Sequence, residues 1–278
     1  MNKKLIAILL AAIMVVACFA LAACGNKPAE DPTNASTEAP AADSDLAYIQ
    51  SKGKLVVGIT DFAPMDFKEE GSDEWVGFDA DLAKAFAKSL GVDVEFTEID
   101  WDNKILELDG KSIDCIWNGM TITDEVKASM SVSDPYCKNA QVIVVPADKA
   151  AEYQTAEACK DLQFAVEAGS AGKEVAEENG FSITEVKDQA TALQEVAAGT
   201  SDAAIIDLLM AGAMIGEGTG FSGLTYTASL NSEEYGVGFR TGSDIVTYFN
   251  TFYASEVAAG TVDTIAAQYG IAADAIIK

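Results

Sequence analysis

The sequence predicts an α/β protein with two β-sheets, on three observations. Short apolar runs alternate with stretches of helical periodicity, the rhythm restarts once near Gln141, and glycine stands at the end of several helical stretches. In the first block, residues 55–59 (Leu-Val-Val-Gly-Ile) read as a buried strand. Residues 79–90 follow as a helix with Leu82, Phe86 and Leu90 on one face and Gly91 as its stop. Residues 92–96 alternate like a half-exposed strand, 104–108 form a short helix, 113–117 a strand, and a polar turn opens another helix near Thr123. The second block starts with the strand 141–145. It continues with a strand at 164–166, a helix over 172–179 closed by Gly180, and a strand at 183–186. A helix over 190–198 ends at Gly199, and a strand at 203–206 precedes a helix over 208–215. The last forty residues are mostly helical, with Ile245, Phe249 and Phe252 at core spacing and Ile265 and Tyr269 further on.

Composition narrows the function. The chain has 278 residues, 18 Lys+Arg against 44 Asp+Glu, no histidine, and a formal net charge of -26. A surface this acidic repels nucleic acid and anionic lipid headgroups, so nucleic acid is not an expected partner. Without histidine there is no Ser-His-Asp or Cys-His nucleophile and no His-containing metal site. Catalysis would fall to carboxylates, Lys, Tyr or Cys, and nothing in the sequence implies a metal or a cofactor. With 49% apolar and 22% charged residues, the chain has the composition of a folded protein.

The N-terminus carries Lys3 and Lys4, an uncharged apolar run over 5–23, and then Leu21-Ala22-Ala23-Cys24-Gly25. That ending resembles the lipobox of a bacterial lipoprotein. On this reading residues 1–23 are a signal peptide, and Cys24 carries a diacylglyceryl thioether whose two acyl chains suffice for stable anchoring. The other reading of the run is an uncleaved signal-anchor helix, for which it is long enough. Residues 24–45 are rich in Pro, Ala, Asp, Glu, Ser and Thr and free of aromatics, which reads as a disordered tether. The alternative is an arm that rests on the folded body. Cys18 leaves with the signal and Cys24 takes lipid, so Cys115, Cys137 and Cys159 remain. An odd number closes no disulfide framework, and free buried thiols are expected.

Several segments of the body carry a resemblance. They are Gly53-Lys54-Leu55-Val56-Val57-Gly58, Trp75-Val76-Gly77-Phe78-Asp79-Ala80-Asp81-Leu82-Ala83, Gly119-Met120-Thr121-Ile122-Thr123, Ser133-Asp134-Pro135-Tyr136, Ala168-Gly169-Ser170, residues 202–207 and residues 235–240. Their order and spacing are similar to those of the bacterial extracellular solute-binding proteins of family 3, which serve amino-acid ABC importers. The resemblance implies a two-lobed periplasmic-binding-protein-like fold of type II, with two mixed β-sheets flanked by helices and a hinge of two crossover strands. The crossovers are expected near 140–144 and 234–239. Lobe one would comprise 46–140 and 239–278, and lobe two, with the hinge strands, 141–238. Closure of the lobes would bury a ligand and present a changed surface to the permease.

The resemblance also implies a pocket. Phe62 and Trp101 match the family's stacking rings, which hold an aliphatic or cationic side chain by dispersion and cation-π attraction. The loop 58–64 is a residue shorter than the family's usual one. Thr121 and the Gly119 backbone match the positions that meet the ligand's α-ammonium, and Asp207 matches the carboxylate that completes that site from the other lobe. An ammonium needs about three acceptors, of which one should be ionised. Each of these side chains has a plainer reading as well: core for the rings, a helix cap for Asp207.

The other end of the pocket departs from the pattern. The family expects an arginine three residues after the second threonine of Thr121-Ile122-Thr123, as a clamp on the ligand's carboxylate. That position is Val126, and the chain's one arginine, Arg240, lies in a crossover segment. Lys127 points about 100° away around the helix. Backbone amides at the helix start after Thr123, and those of Ser170, Ala171 and Gly172, remain for an anion. Two readings follow: an α-amino acid whose carboxylate rests on amides, which is the favoured one, or an amine without a carboxylate. Glu167, Asp61 and Asp102 would favour positive charge on the ligand, and Asn118 is a further pocket residue. The surface reading of the three acids stands beside this one.

The function implied is that of a substrate-binding lipoprotein of an ABC importer, not an enzyme. Its partners would be an amino acid or amine, the permease and its ATPase, and the outer face of the cell membrane through the lipid anchor alone, with the protein a monomer. The alternatives are a ligand-sensing ectodomain for the same ligand class and a catalytically recruited member of the fold. A sensor would be fused to a transmembrane segment and an output domain, whereas the chain ends at Lys278 soon after its last helix.

Overall fold

The computed structural model describes residues 44–278. The signal peptide, the Cys24 lipidation site and nearly all of the expected tether lie outside the described residues. Among the described residues no helix is long and apolar enough to cross a membrane.

Helix α1 (Asp45–Lys52) opens the fold where the tether was expected to end. Ser44 caps it by accepting from the Ala47 amide at 3.1 Å, Leu46 and Ile49 are buried, and Gly53 closes it in the left-handed region at φ 73. Then follow β1 (Lys54–Ile59), the short strands β2 (Phe67–Lys68) and β3 (Trp75–Val76), α2 (Phe78–Ser89), β4 (Asp93–Glu98), α3 (Lys104–Asp109) and β5 (Cys115–Ile116). The chain continues through α4 (Asp124–Ser129), β6 (Ser131–Val132), β7 (Cys137–Asn139), β8 (Gln141–Pro146), β9 (Gln163–Glu167), α5 (Ala171–Glu178), β10 (Ser182–Val186) and α6 (Gln189–Ala198). It ends with β11 (Ala203–Asp207), α7 (Leu208–Met214), β12 (Leu224–Ser229), β13 (Glu233–Tyr235), β14 (Gly238–Phe239), α8 (Ile245–Ala259) and α9 (Thr261–Gln268).

Two five-stranded mixed sheets result, in the orders β4-β1-β5-β14-β6 and β10-β9-β11-β8-β12. The same logic builds each. In the first, β1 is the central parallel strand: α2 leads to β4 on one side, and α3 then crosses to β5 on the other. In the second, β9 takes that place, with α5 leading to β10 and α6 crossing to β11. Where strand order reverses, the carboxyl ends of the two diverging strands leave a crevice that open α/β sheets use for ligands. Each sheet therefore supplies one such crevice, at β1/β5 and at β9/β11.

The link between the sheets is the antiparallel ribbon of β7 and β13, in register Glu233↔Asn139 and Tyr235↔Cys137. The first crossover thus lies a few residues before its expected place. Residues 141–146 form β8 instead, a strand of the second sheet paired with β11 and β12 and buried along almost all its length. Residues 234–239 span the ribbon and β14, which returns the chain to the first sheet.

The core of the first sheet centres on Trp117, Phe86 and Phe249, with Phe249 brought in by α8; the Trp117 and Phe249 ring centroids are 4.9 Å apart, edge to face. Arg240 is a fastener here and no part of the ligand site. Its guanidinium pairs with Asp45 and Asp114 and donates to the Ile113 carbonyl at 2.8 Å, which ties α1 and the C-terminal return to the sheet. On one face of the second sheet Ile143, Val145, Phe164, Val166 and Ile205 form a separate cluster. Cys115, Cys137 and Cys159 are free thiols, all buried.

Candidate functional site

The two crevices face a common cavity, and the first sheet supplies its floor. Asn118, just beyond β5, is consumed by its neighbours. Its Oδ1 accepts from the Thr60 amide at 3.0 Å and the Thr60 hydroxyl at 2.7 Å, and its Nδ2 donates to the Thr60 carbonyl and to Asp66 Oδ2 at 2.8 Å. Gly119 follows at φ 55, and its amide donates to Asp79 Oδ2 at 2.7 Å. A Cβ at Gly119 would stand 2.3 Å from Phe62 Cε1, so only glycine lets that ring lie against the floor. A tight turn holds Phe62, whose amide donates to the Asp66 carbonyl at 2.7 Å.

Beneath this floor lie two buried acids. Burial raises the pKa of both: Asp79 is pushed up to about 7, and Asp66, further raised by Asp79, stands well above its ordinary value. Each leaves one oxygen without a donor among the described residues, which favours the protonated form.

The second sheet supplies the acid wall. Asp207, the last residue of β11, is buried and accepts from Tyr235 Oη at 2.6 Å, from Gln141 Nε2 at 3.1 Å, and from Asn139 Nδ2 and Gln189 Nε2. It precedes α7 yet makes no side-chain cap bond, which sets aside the helix-cap role. Burial, then the charge of Glu233, pushes it up to about 7. Asn139 and Gln141 also donate to Glu233 Oε1, which takes the Thr121 hydroxyl at 2.9 Å. The hinge ribbon thus ties Thr121 of one lobe to Asp207 of the other. Glu167 ends β9 and is pushed up to about 8, first by burial and then by Asp207. Ser170 caps α5, accepting from the Lys173 amide at 3.2 Å and donating to the Glu167 carbonyl at 2.8 Å.

Phe62, Trp101, Asn118, Gly119, Thr121, Val126, Glu167, Ser170, Ala171 and Asp207 all line this one cavity, which has about 30 Å³ of space for water. Asp61 does not. It lies between Thr60 and Phe62, both buried, and is itself exposed, as alternation along an extended segment requires. Asp102, beside Trp101, is exposed as well. Sequence reasoning passed over Thr60, Glu125, Glu174, Gln189 and Lys104, which line the same space. Gln189 returns a chelate to Asp207, since its Oε1 accepts the Asp207 amide at 2.9 Å. Lys104 carried a readable signal: it stands four residues before Leu108 on the buried face of α3, where an apolar residue is the norm.

With two switch-point crevices around one cavity, the sequence matches the bacterial extracellular solute-binding proteins, family 3, over residues 55–272. The chain belongs to this family. It is 31% identical over 247 residues to the arginine-binding extracellular protein ArtP of Bacillus subtilis (strain 168), covering 86% of this chain and 88% of ArtP. A mutant of ArgBP from T. maritima has 33% identity and a TM-score of 0.75 over 81% of this chain and 98% of its own. A substrate-binding protein of an ABC uptake transporter from Streptococcus pneumoniae, with bound histidine, has 28% identity and a TM-score of 0.76, over 86% of this chain and 100% of its own. The family is one of solute-binding proteins, not of enzymes.

In this family-3 protein the lobes meet around the cavity. Lys104 Nζ, from the first lobe, donates to the Gly169 carbonyl of the second at 2.7 Å. A Cβ at Gly169 would come within 2.8 Å of Asp102 Cα, so the two backbones touch there. At the rim Lys187 pairs with Glu98 at 3.0 Å. The cleft is shut.

Proposed function

We propose that this chain is the substrate-binding lipoprotein of an ABC importer, which captures a small amino acid or amino-acid-like amine between its lobes and delivers it to the permease. One observation carries the reading: a buried acid, Asp207, lines a shut cavity whose opposite wall holds Phe62, Gly119 and Thr121. The ligand's ammonium is placed against Asp207, the free lone pairs of the Thr121 hydroxyl and the Gly119 carbonyl. Phe62 and Trp101 take its side chain. An ammonium arriving at a carboxyl pushed up to about 7 favours its ionised form, so uptake is expected to release a fraction of a proton near neutral pH. Attachment through Cys24 to the outer face of the cell membrane, a monomeric state and a permease with its ATPase complete the proposal. Turnover is no part of it, in keeping with a family of solute-binding proteins.

The surplus of acids, Glu125, Glu167, Glu174 and Asp207 against Lys104 as the cavity's one cation, favours a ligand with positive charge. The names of the relatives point the same way for arginine. A thermal-shift panel of L-arginine, L-histidine, L-glutamine and L-cystine on the full-length chain in mild detergent tests the proposal. Ligand at 100 times Kd adds about 2.7 kcal/mol, or a rise of several degrees. Asp207→Asn is expected to remove that rise. A panel with no rise in the wild type overturns the reading.

A further inference from the structure

The cavity contains a buried cation, Lys104, that the pocket expected from the sequence does not include. Lys104 is 6% exposed, and its ammonium rests 5.1 Å from the Trp101 ring centroid. It donates to two carbonyl oxygens, of Gly169 at 2.7 Å and of Trp101 at 3.3 Å, which leaves one of its three protons unassigned. Among the described residues no carboxylate forms an ion pair with it. Its direct hydrogen-bond acceptors are neutral, and burial lowers its pKa against the opposing pull of the Glu125, Glu167, Asp102 and Glu174 carboxylates nearby. Glu167, at a strand end of the other lobe, makes no hydrogen bond to it, and burial pushes its carboxyl up to about 8. Trp101, beneath the ammonium, belongs to the same apolar cluster as Val126, the position from which the expected arginine is missing.

We propose that Lys104 is the specificity-determining residue for the ligand's anionic end: its ammonium is the counter-charge for a carboxylate, so the site selects amino acids over the corresponding amines. This rests on the reading that a small nutrient enters the cavity by its ammonium. The two charges of a zwitterion are then met by Asp207 from one lobe and Lys104 from the other. Because the Lys104 ammonium also donates to Gly169, an anion that orders it holds the lobes together at the same point.

The test is a comparison of amino acids with their decarboxylated amines: L-arginine with agmatine and L-histidine with histamine, which differ by one carboxylate, and L-cystine with cystamine, which differ by two. Affinities are measured by calorimetry on the full-length chain in mild detergent. Wild type is expected to bind the amino acid of its preferred pair about 10- to 100-fold more tightly than the amine. Lys104→Met is expected to erase that ratio by weakening the amino acid and sparing the amine, whereas Lys104→Arg retains it. Should Lys104→Met not fold, as judged by its melting transition, Lys104→Gln serves in its place. An amino acid that binds wild type no better than its amine overturns the proposal, as does a Lys104→Met protein that weakens both partners equally. In both of those outcomes capture of an ammonium-bearing ligand stands. If neither series binds wild type, the functional reading falls and this proposal with it.

Discussion

Each lobe buries a pair of acids near its crevice, in lobe one from a loop and a helix (Asp66 before β2, Asp79 in α2) and in lobe two from the strand ends (Glu167 of β9, Asp207 of β11), yet only the second pair faces the cavity. In lobe one, Asp66 and Asp79 lie behind Asn118 and Gly119 and spend their oxygens on Asn118 Nδ2, the Gly119 amide and the Tyr136 hydroxyl. In lobe two, Asp207 and Glu167 stand at the cavity wall itself. One topology therefore yields a scaffold in the first sheet and a binding surface in the second. The difference lies in what comes after the strand: a glycine and an asparagine seal the first crevice, while β11 ends on the acid itself.

That contrast can be broken from either side. The largest effect is expected at Asp207→Ala, which removes the ionised acceptor and should weaken ligand binding about 100-fold by calorimetry. Asp79→Ala should act on stability in its place. It strands the Gly119 amide and the Tyr136 hydroxyl in the core, at a cost of about 2 to 4 kcal/mol in urea unfolding. Asp79→Asn, similar in shape to the protonated acid, should cost much less.

Closure can be separated from both. Gly169→Ala places a Cβ 2.8 Å from Asp102 Cα, across the cleft, and adds strain at φ 68. It should lower affinity about 10-fold while the ligand-free melting temperature moves little, since the contact joins lobes that each keep their own core.

The smallest effect is on pH dependence. Asp207 and Glu167 keep protons up to about 7 and about 8 in the fold, while the unfolded chain releases them near 4 to 4.5. Between those limits the folded chain binds more protons than the unfolded one, so this contribution to stability is present at pH 4 and is lost as pH rises toward 8. The ligand-free melting temperature should fall across that window. Glu167→Gln should flatten the fall, by on the order of 2 to 4 °C.

Much of this was legible in the sequence, for physical reasons that vary by element. Strands β1, β8 and β11 are buried on both faces, so each announces itself as an unbroken apolar run, and α6 is bounded by Gly199 at φ 75. Strands β2, β3, β6, β7, β13 and β14 are two or three residues long and leave no periodic trace. Helix α1 was hidden because Ser44 and Asp45 share the polar composition of the segment before them. The pocket residues that lay within family segments were identified by position. Lys104 lies outside those segments, and its one signal, the i, i+4 spacing to Leu108 on the buried face of α3, is weak on a helix of six residues. Asp61 misled through adjacency to Phe62, where alternation turns it outward.

In the proposed function a ligand is gripped by its positive end on Asp207, between lobes in contact. The direct measurement is calorimetric titration of the full-length chain with the best-bound amino acid and with its Nα-acetyl derivative, which keeps the side chain and carboxylate and loses the ammonium. Tight binding of the first is expected, with a loss of about 100-fold or more for the second. Equal affinity for the two would contradict the proposed function.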